Sequence, residues 1–245
     1  MPSFILNTCG TSVLTHQCSN EERSLLNKYT NAANWDAIPE SDRTQIQSHL
    51  QQRQTQLLAL SKQDAKKMSA ELNGLLTWMA KSASHPQDEY WILATDTALG
   101  QAAAQMVQAW LESQKLRAQI LKIQDLRTSA LDEFRSALSD LAKQLKDILQ
   151  GYRGNGYTIH FNLTGGFKGL NGFLQALSTI YADETFYLFE TGQELLNIPK
   201  LPFELNTQRT IEASLLAFRR LGHGLQVDAA QARGIPDSLL FEVDG

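Results

Sequence analysis

Short apolar runs punctuate the chain: SFILNTC at residues 3 to 9, YWILAT at 90 to 95, AQILKI at 118 to 123 and TFYLFE at 185 to 190. Between them lie longer stretches whose apolar residues recur every three or four positions. A run of four to eight apolar residues closed by glycine or polar signals reads as a strand buried on both faces, whereas the 3.6 period reads as an amphipathic helix. Strands that alternate with helices cannot be joined by tight hairpins. They call for crossover connections and hence a largely parallel sheet with helices on both sides.

The helical stripes are specific. Leu99, Ala103, Met106 and Trp110 share one face after the second strand, and Leu131, Phe134, Leu138, Leu141, Leu145 and Ile148 follow the third. Residues 20 to 40 have no clear period. Ile46, Leu50 and Leu57 then begin a helical pattern, and Met68, Leu72, Leu75, Leu76 and Met79 at offsets of 4, 7, 8 and 11 continue it. The glutamine-rich QIQSHLQQRQTQ between them reads as a solvated helix face. Gly151, Gly154 and Gly156 return the chain to a strand in which Tyr157, Ile159, Phe161 and Leu163 alternate with Thr158, His160, Asn162 and Thr164. A helix from about Lys168 to Tyr181 precedes the last of the apolar runs, and residues 192 to 205 predict a hairpin whose outer strand Pro199 and Pro202 hold at an edge. The expected fold is α/β: a doubly wound, Rossmann-like, mainly parallel sheet with helices on both faces, a helical insertion at about 20–85, and a C-terminal hairpin plus short tail. The expected division is 1–206 for that domain and 207–245 for a small extension.

With 245 residues, 42% hydrophobic and 20% charged, the chain falls among soluble globular proteins. Its formal net charge of -4 supplies no bulk attraction for nucleic acid or an anionic membrane, so an anionic ligand needs a local site. Two cysteines, Cys9 and Cys18, are too few for a disulfide framework, and no run reaches membrane-spanning length, which together set the expectation of a cytoplasmic protein with no membrane partner.

In a doubly wound sheet the first and fourth strands are neighbours at the switch point, and ligands bind beyond their carboxyl ends. Two glycine-bearing corners follow those strands, NTCGTS at 7 to 12 and NLTGGFK at 162 to 168. Gly10, Thr11 and Ser12 offer a small donor-rich loop. Gly165 and Gly166 let a ligand approach backbone, and Lys168 adds a mobile positive charge. Such a pocket suits phosphate. Cys9 reads as a small buried residue rather than a nucleophile, and His160 as a wall residue. There is no GxxxxGK[ST], GxGxxG, CxxC or HExxH pattern, so neither a cofactor nor a metal is expected. An arginine followed by a histidine after four to six residues occurs at Arg43 with His49 and at Arg153 with His160, and carries little weight.

ILNTCGTSVL followed by FNLTGGFKGL, with LATDTALG after the second strand, resembles the CRISPR-associated Rossmann-fold (CARF) proteins, specifically the stand-alone ring nucleases that degrade cyclic tetra-adenylate. The similarity spans about residues 3 to 205, and the insertion is long for that branch. It implies a homodimer that binds a symmetric cyclic RNA across its two-fold axis and switches off type III signalling, with Ser12 and Lys168 as the catalytic pair. Gly10, Thr11, Asn162, Thr164, Gly165, Gly166 and Phe167 become candidate ligand contacts. Thr95, Asp96, Thr97 and Arg127, at other strand ends, are further candidates. No DNA partner is expected. Two alternatives stand beside this reading: a non-catalytic cyclic oligoadenylate sensor or transcriptional regulator signalling through residues 207–245, and a ligand-activated effector ribonuclease centred on Arg43 and His49.

Overall fold

The structure is a computed structural model that describes residues 1–127, 131–189, 194–200, 207–228 and 230–235. It divides into two units, Met1–Leu201 and Pro202–Gly245. The first is built on a six-stranded sheet of β1 (Ser3–Cys9), β2 (Glu89–Ala94), β3 (Arg117–Leu121), β4 (Thr158–Asn162), β5 (Glu184–Leu188) and β6 (Leu195–Asn197). The strand order is β3-β2-β1-β4-β5-β6, parallel from β3 to β5 and antiparallel only at β6. This is the expected Rossmann-like α/β arrangement, with β1 beside β4 at the centre.

Helix α1 (Ser12–Thr15) follows β1 directly, and the insertion consists of α2 (Asn20–Lys28), α3 (Glu40–Leu58), α4 (Lys62–Met68) and α5 (Ala70–Met79). The crossovers are α6 (Ala98–Ser113), α7 (Leu131–Gly154) and α8 (Lys168–Tyr181). Because side chains alternate along a strand, β1 feeds two cores. Ile5 packs into one with Leu14, Ile46, Leu57, Leu72 and Trp110, and Phe4 and Leu6 into the other with Leu141, Leu145, Leu170 and Leu174. Ile46, Leu57 and Leu72 of the insertion are fully buried, each contributing about 1.5–3 kcal/mol by leaving water. The insertion thus completes one face of the core.

Local detail differs from or goes beyond the sequence patterns. The run from Met68 to Met79 is two helices, because Ser69 adopts an extended backbone (φ -152, ψ 133) and its hydroxyl accepts the Leu72 N–H to cap α5. A 3.6 period continues across such a break when both pieces face the same core, so the pattern hides it. Gly151 and Gly154 lie within α7, and the turn into β4 is made by Gly156 alone, at φ +81. Among the described residues of the 192–205 segment, β6 pairs antiparallel with β5; residues 190–193 and 201–206 lie outside the described residues, and the expected outer strand with Pro202 falls partly among them. The second unit contains α9 (Thr207–Ala213) and α10 (Leu215–Gly222), and residues 236–245 lie outside the described residues. No described helix is long and apolar enough to cross a membrane.

Candidate functional site

The pairing of β1 with β4 sets Asn7 level with Asn162, and the Asn162 amide donates to Asn7 Oδ1 at 3.0 Å. Beyond this pair the two corners bend toward each other. Thr8 Oγ1 donates to the Gly165 carbonyl at 2.7 Å, and a Cβ built on Gly10 would stand 3.2 Å from the Gly166 amide nitrogen. Gly166 has φ +83, with Thr8 Cβ 2.9 Å from where its own Cβ would stand, so no other residue fits there without strain. Asn171 donates to the carbonyls of Leu163 and Gly165 and braces the corner from the first turn of α8.

Between the corners sits a residue that the sequence did not single out. Glu71, in the first turn of α5, is only 2% exposed. Its Oε1 accepts the Gly10 N–H at 2.7 Å, and its Oε2 accepts the hydroxyls of Ser12 and Ser69, each at 2.5 Å. Gly165 makes room for it, since a Cβ there would fall 2.3 Å from Glu71 Cγ and Oε1. The Asn162 amide also donates to the Glu71 carbonyl. The signal that could have found Glu71 was the serine-then-acid step SAE at 69 to 71, a helix start inside an apolar stripe.

The candidate residues divide by what their polar atoms already do. Asn162 is fully buried, and its Oδ1 accepts the Thr164 N–H and hydroxyl; Thr164 Oγ1 in turn accepts the Leu188 N–H. Thr97 caps α6 through the Gly100 N–H and meets Thr95 Oγ1 at 3.1 Å. Asp96 accepts the Asp125 N–H, and Arg127 reaches Asp125 at 2.7 Å, Glu133 at 3.1 Å and Asp96 at 3.9 Å. These groups hold the scaffold. Thr11 and Ser12 are half-buried, as are Gly166 and Phe167, and Phe167 packs against Phe134 with ring centroids 5.4 Å apart. Lys168 is exposed at the start of α8, with no hydrogen bond or ion pair among the described residues. No side chain caps α8, so its first amides keep their hydrogen-bonding capacity.

Other expectations resolve on burial. Cys9 is buried, and desolvation, then the nearby Glu71 charge, pushes its thiol well above the ordinary range, unlike an activated nucleophile. His160 lies against Trp78, ring centroids 4.8 Å apart, with Nδ1 3.0 Å from Glu184 Oε2. Arg43 pairs with Asp36, and Arg153 with Asp183. Cys18, Glu22 and His49 form a group of metal-ligand types that the sequence patterns did not anticipate. Their atoms are engaged in joining helices: Cys18 Sγ and His49 Nε2 both meet the Leu14 carbonyl at 3.0 Å, and Glu22 closes the capping box of α2. A cavity of about 400 Å³ between α2 and α3 is lined by Glu22, Leu26, Ile46 and His49 among others, none of them from the glycine corners.

A family model described as CRISPR-associated protein (Cas_APE2256) matches residues 66–201, which includes α5, β2 to β6 and the GGFK corner. No curated protein matches the chain at a significant level.

Proposed function

From the premise that this chain belongs to the CRISPR-associated Cas_APE2256 family, we propose that it is a ring nuclease. It binds cyclic tetra-adenylate across the two-fold axis of a homodimer and cuts it, without metal, to linear di-adenylate carrying a 2',3'-cyclic phosphate. The observation that carries this reading is the closeness of the Gly10 loop to the Gly166 corner, where a Cβ built on Gly10 would stand 3.2 Å from the Gly166 amide nitrogen, with a lysine unpaired among the described residues and an uncapped helix start directly after it. That combination gives an anion both fixed amide dipoles and a mobile cation.

The chemistry follows from RNA. Each ribose 2'-hydroxyl can attack its own phosphodiester once it is held in line, and the enzyme's task is to fix that geometry and stabilise charge building on the phosphorane oxygens. Lys168 and the amides around Gly166 are assigned to that charge, Ser12 to the ribose, and Thr11 and Phe167 to neighbouring ring contacts. Gly10, Gly165, Asn162 and Thr164 shape the pocket rather than touch the reacting atoms. The two residues of the effector-ribonuclease alternative already have partners, Arg43 with Asp36 and His49 with Leu14 and Glu22, which favours the ring-nuclease reading over it.

The test is incubation of the protein with cyclic tetra-adenylate in EDTA, with products resolved by chromatography and mass. Linear products ending in 2',3'-cyclic phosphate are expected. An intact ring would overturn the proposal, and binding without cutting, joined to a ligand-dependent shift of promoter DNA, would replace it with the sensor.

A further inference from the structure

We infer that Glu71 is the terminal proton acceptor of a relay that runs through Ser12, so that Ser12 meets a ribose hydroxyl and not a phosphate oxygen. The inference rests on the ring-nuclease reading and deepens it at the same site. It follows from counting what the Ser12 hydroxyl has left to offer. A serine hydroxyl has one hydrogen to donate and two lone pairs with which to accept. Here the hydrogen goes to Glu71 Oε2 at 2.5 Å, and one lone pair receives the Ala70 N–H at 3.0 Å. One acceptor position remains. A phosphate oxygen carries no hydrogen and cannot use it, whereas a 2'-hydroxyl can.

The surroundings of Glu71 keep that polarity fixed. Every group that faces its two oxygens is a donor: the Gly10 N–H from the β1 loop, the Ser12 hydroxyl from α1 and the Ser69 hydroxyl from its own helix cap. No hydrogen bond joins it to a lysine or arginine among the described residues, so its acceptor capacity is not neutralised by an ion pair. Gly165 leaves the space into which the side chain fits.

In the step this arrangement supports, the O2'–H bond breaks and its proton passes to Ser12 Oγ, while Ser12 passes its own proton to Glu71 Oε2. The O2'–phosphorus bond forms and the phosphorus–O5' bond breaks. The departing 5'-oxygen takes a proton from water, and Glu71 later returns one to solvent, so nothing is consumed. Ser12 touches the substrate, and Glu71 is a positioning residue that acts through it. General-base assistance of this kind is worth about 10²–10⁴ in rate.

The experiment is single-turnover cleavage of cyclic tetra-adenylate alongside equilibrium binding, for the wild-type protein, Glu71→Gln, Glu71→Asp, Ser12→Ala and the Glu71→Gln/Ser12→Ala pair. Glutamine has the size of glutamate and still accepts the Gly10 N–H, but its amide donates toward Ser12 and reverses the polarity of that hydroxyl. Expected for Glu71→Gln is a rate at least about 100-fold lower with ring affinity changed less than about threefold. The double variant is expected to be no slower than Ser12→Ala alone, because the two act as one unit. Glu71→Asp, which retains an acceptor but draws it back from Ser12, is expected to recover about tenfold over glutamine while staying several-fold below the wild-type rate. Full-rate cleavage by Glu71→Gln overturns the relay and leaves the ring-nuclease reading intact, as does a loss of affinity that parallels the loss of rate. Failure of the wild-type protein to cut the ring overturns both. Should the glutamine variant not fold, the aspartate variant decides: a wild-type rate in it, with the carboxylate drawn back from Ser12, overturns the relay.

Discussion

The corner after β2 and the corner after β4 occupy the same edge of one sheet and begin from similar polar sequence, yet they end in opposite states. After β2, Thr97 caps α6 and Arg127 is surrounded by Asp96, Asp125 and Glu133. After β4, α8 starts without a side-chain cap and Lys168 stands exposed without a partner among the described residues. A helix start whose donors are already satisfied, beside a cation already neutralised, has little left to bind an anion. The lesson is that a positive residue at a strand end is informative about ligand binding only after its local carboxylates have been counted.

The comparison breaks most decisively on the two cations. Lys168→Ala is expected to lower the single-turnover rate of ring opening by about 100-fold or more, as for loss of a group that stabilises transition-state charge. Arg127→Ala should change that rate less than about threefold and cost at most about 1 kcal/mol in urea unfolding, the range for partly exposed ion pairs. Equal kinetic losses in the two variants would erase the distinction between the corners.

Packing gives the next largest effect. Gly165→Ala would drive a methyl group to 2.3 Å from Glu71 Cγ, so a destabilisation of about 1–3 kcal/mol is expected from the urea midpoint. Gly172→Ala, in α8 with open space around it, should instead leave the midpoint unchanged or raise it by up to about 1 kcal/mol. A tolerant Gly165 would mean that the site's serine loop and lysine corner are less tightly joined than the geometry indicates.

The smallest expected effect concerns His160, a third basic side chain, which lies within β4 against Trp78 and Glu184. Burial pushes its imidazole below the ordinary value, opposed by Glu184. The unfolded chain therefore binds the proton at higher pH than the folded one, and stability contributed here is present above about pH 6.5 and is lost as pH falls below it. His160→Gln should flatten the fall of the urea midpoint as pH drops below about 6.5, and an unchanged slope would assign that fall to other groups.

How much was legible in the letters varies with range. The buried strands and the α6 and α7 stripes follow from periods of two and 3.6 written in neighbouring residues, and the approach of the first and fourth strands follows once a doubly wound order is taken. The break at Ser69 was hidden, because two helices facing one core preserve a single stripe. Thr97 and Asn162 were legible as polar residues at strand ends, but their service as cap and cross-strand anchor was not.

Sequence by itself determined the alternation of strands with helices, the glycines that the β4 corner requires and the presence of a lysine at the head of α8. Tertiary structure alone decided that Glu71 would reach Gly10 and Ser12, 61 and 59 positions away, and that Arg127 would be consumed by three carboxylates while Lys168 was left open. The physical reason is that periodicity and turn chemistry act over a few residues, whereas which donor meets which acceptor is fixed only when the insertion packs its apolar face and carries its polar residues to a particular place.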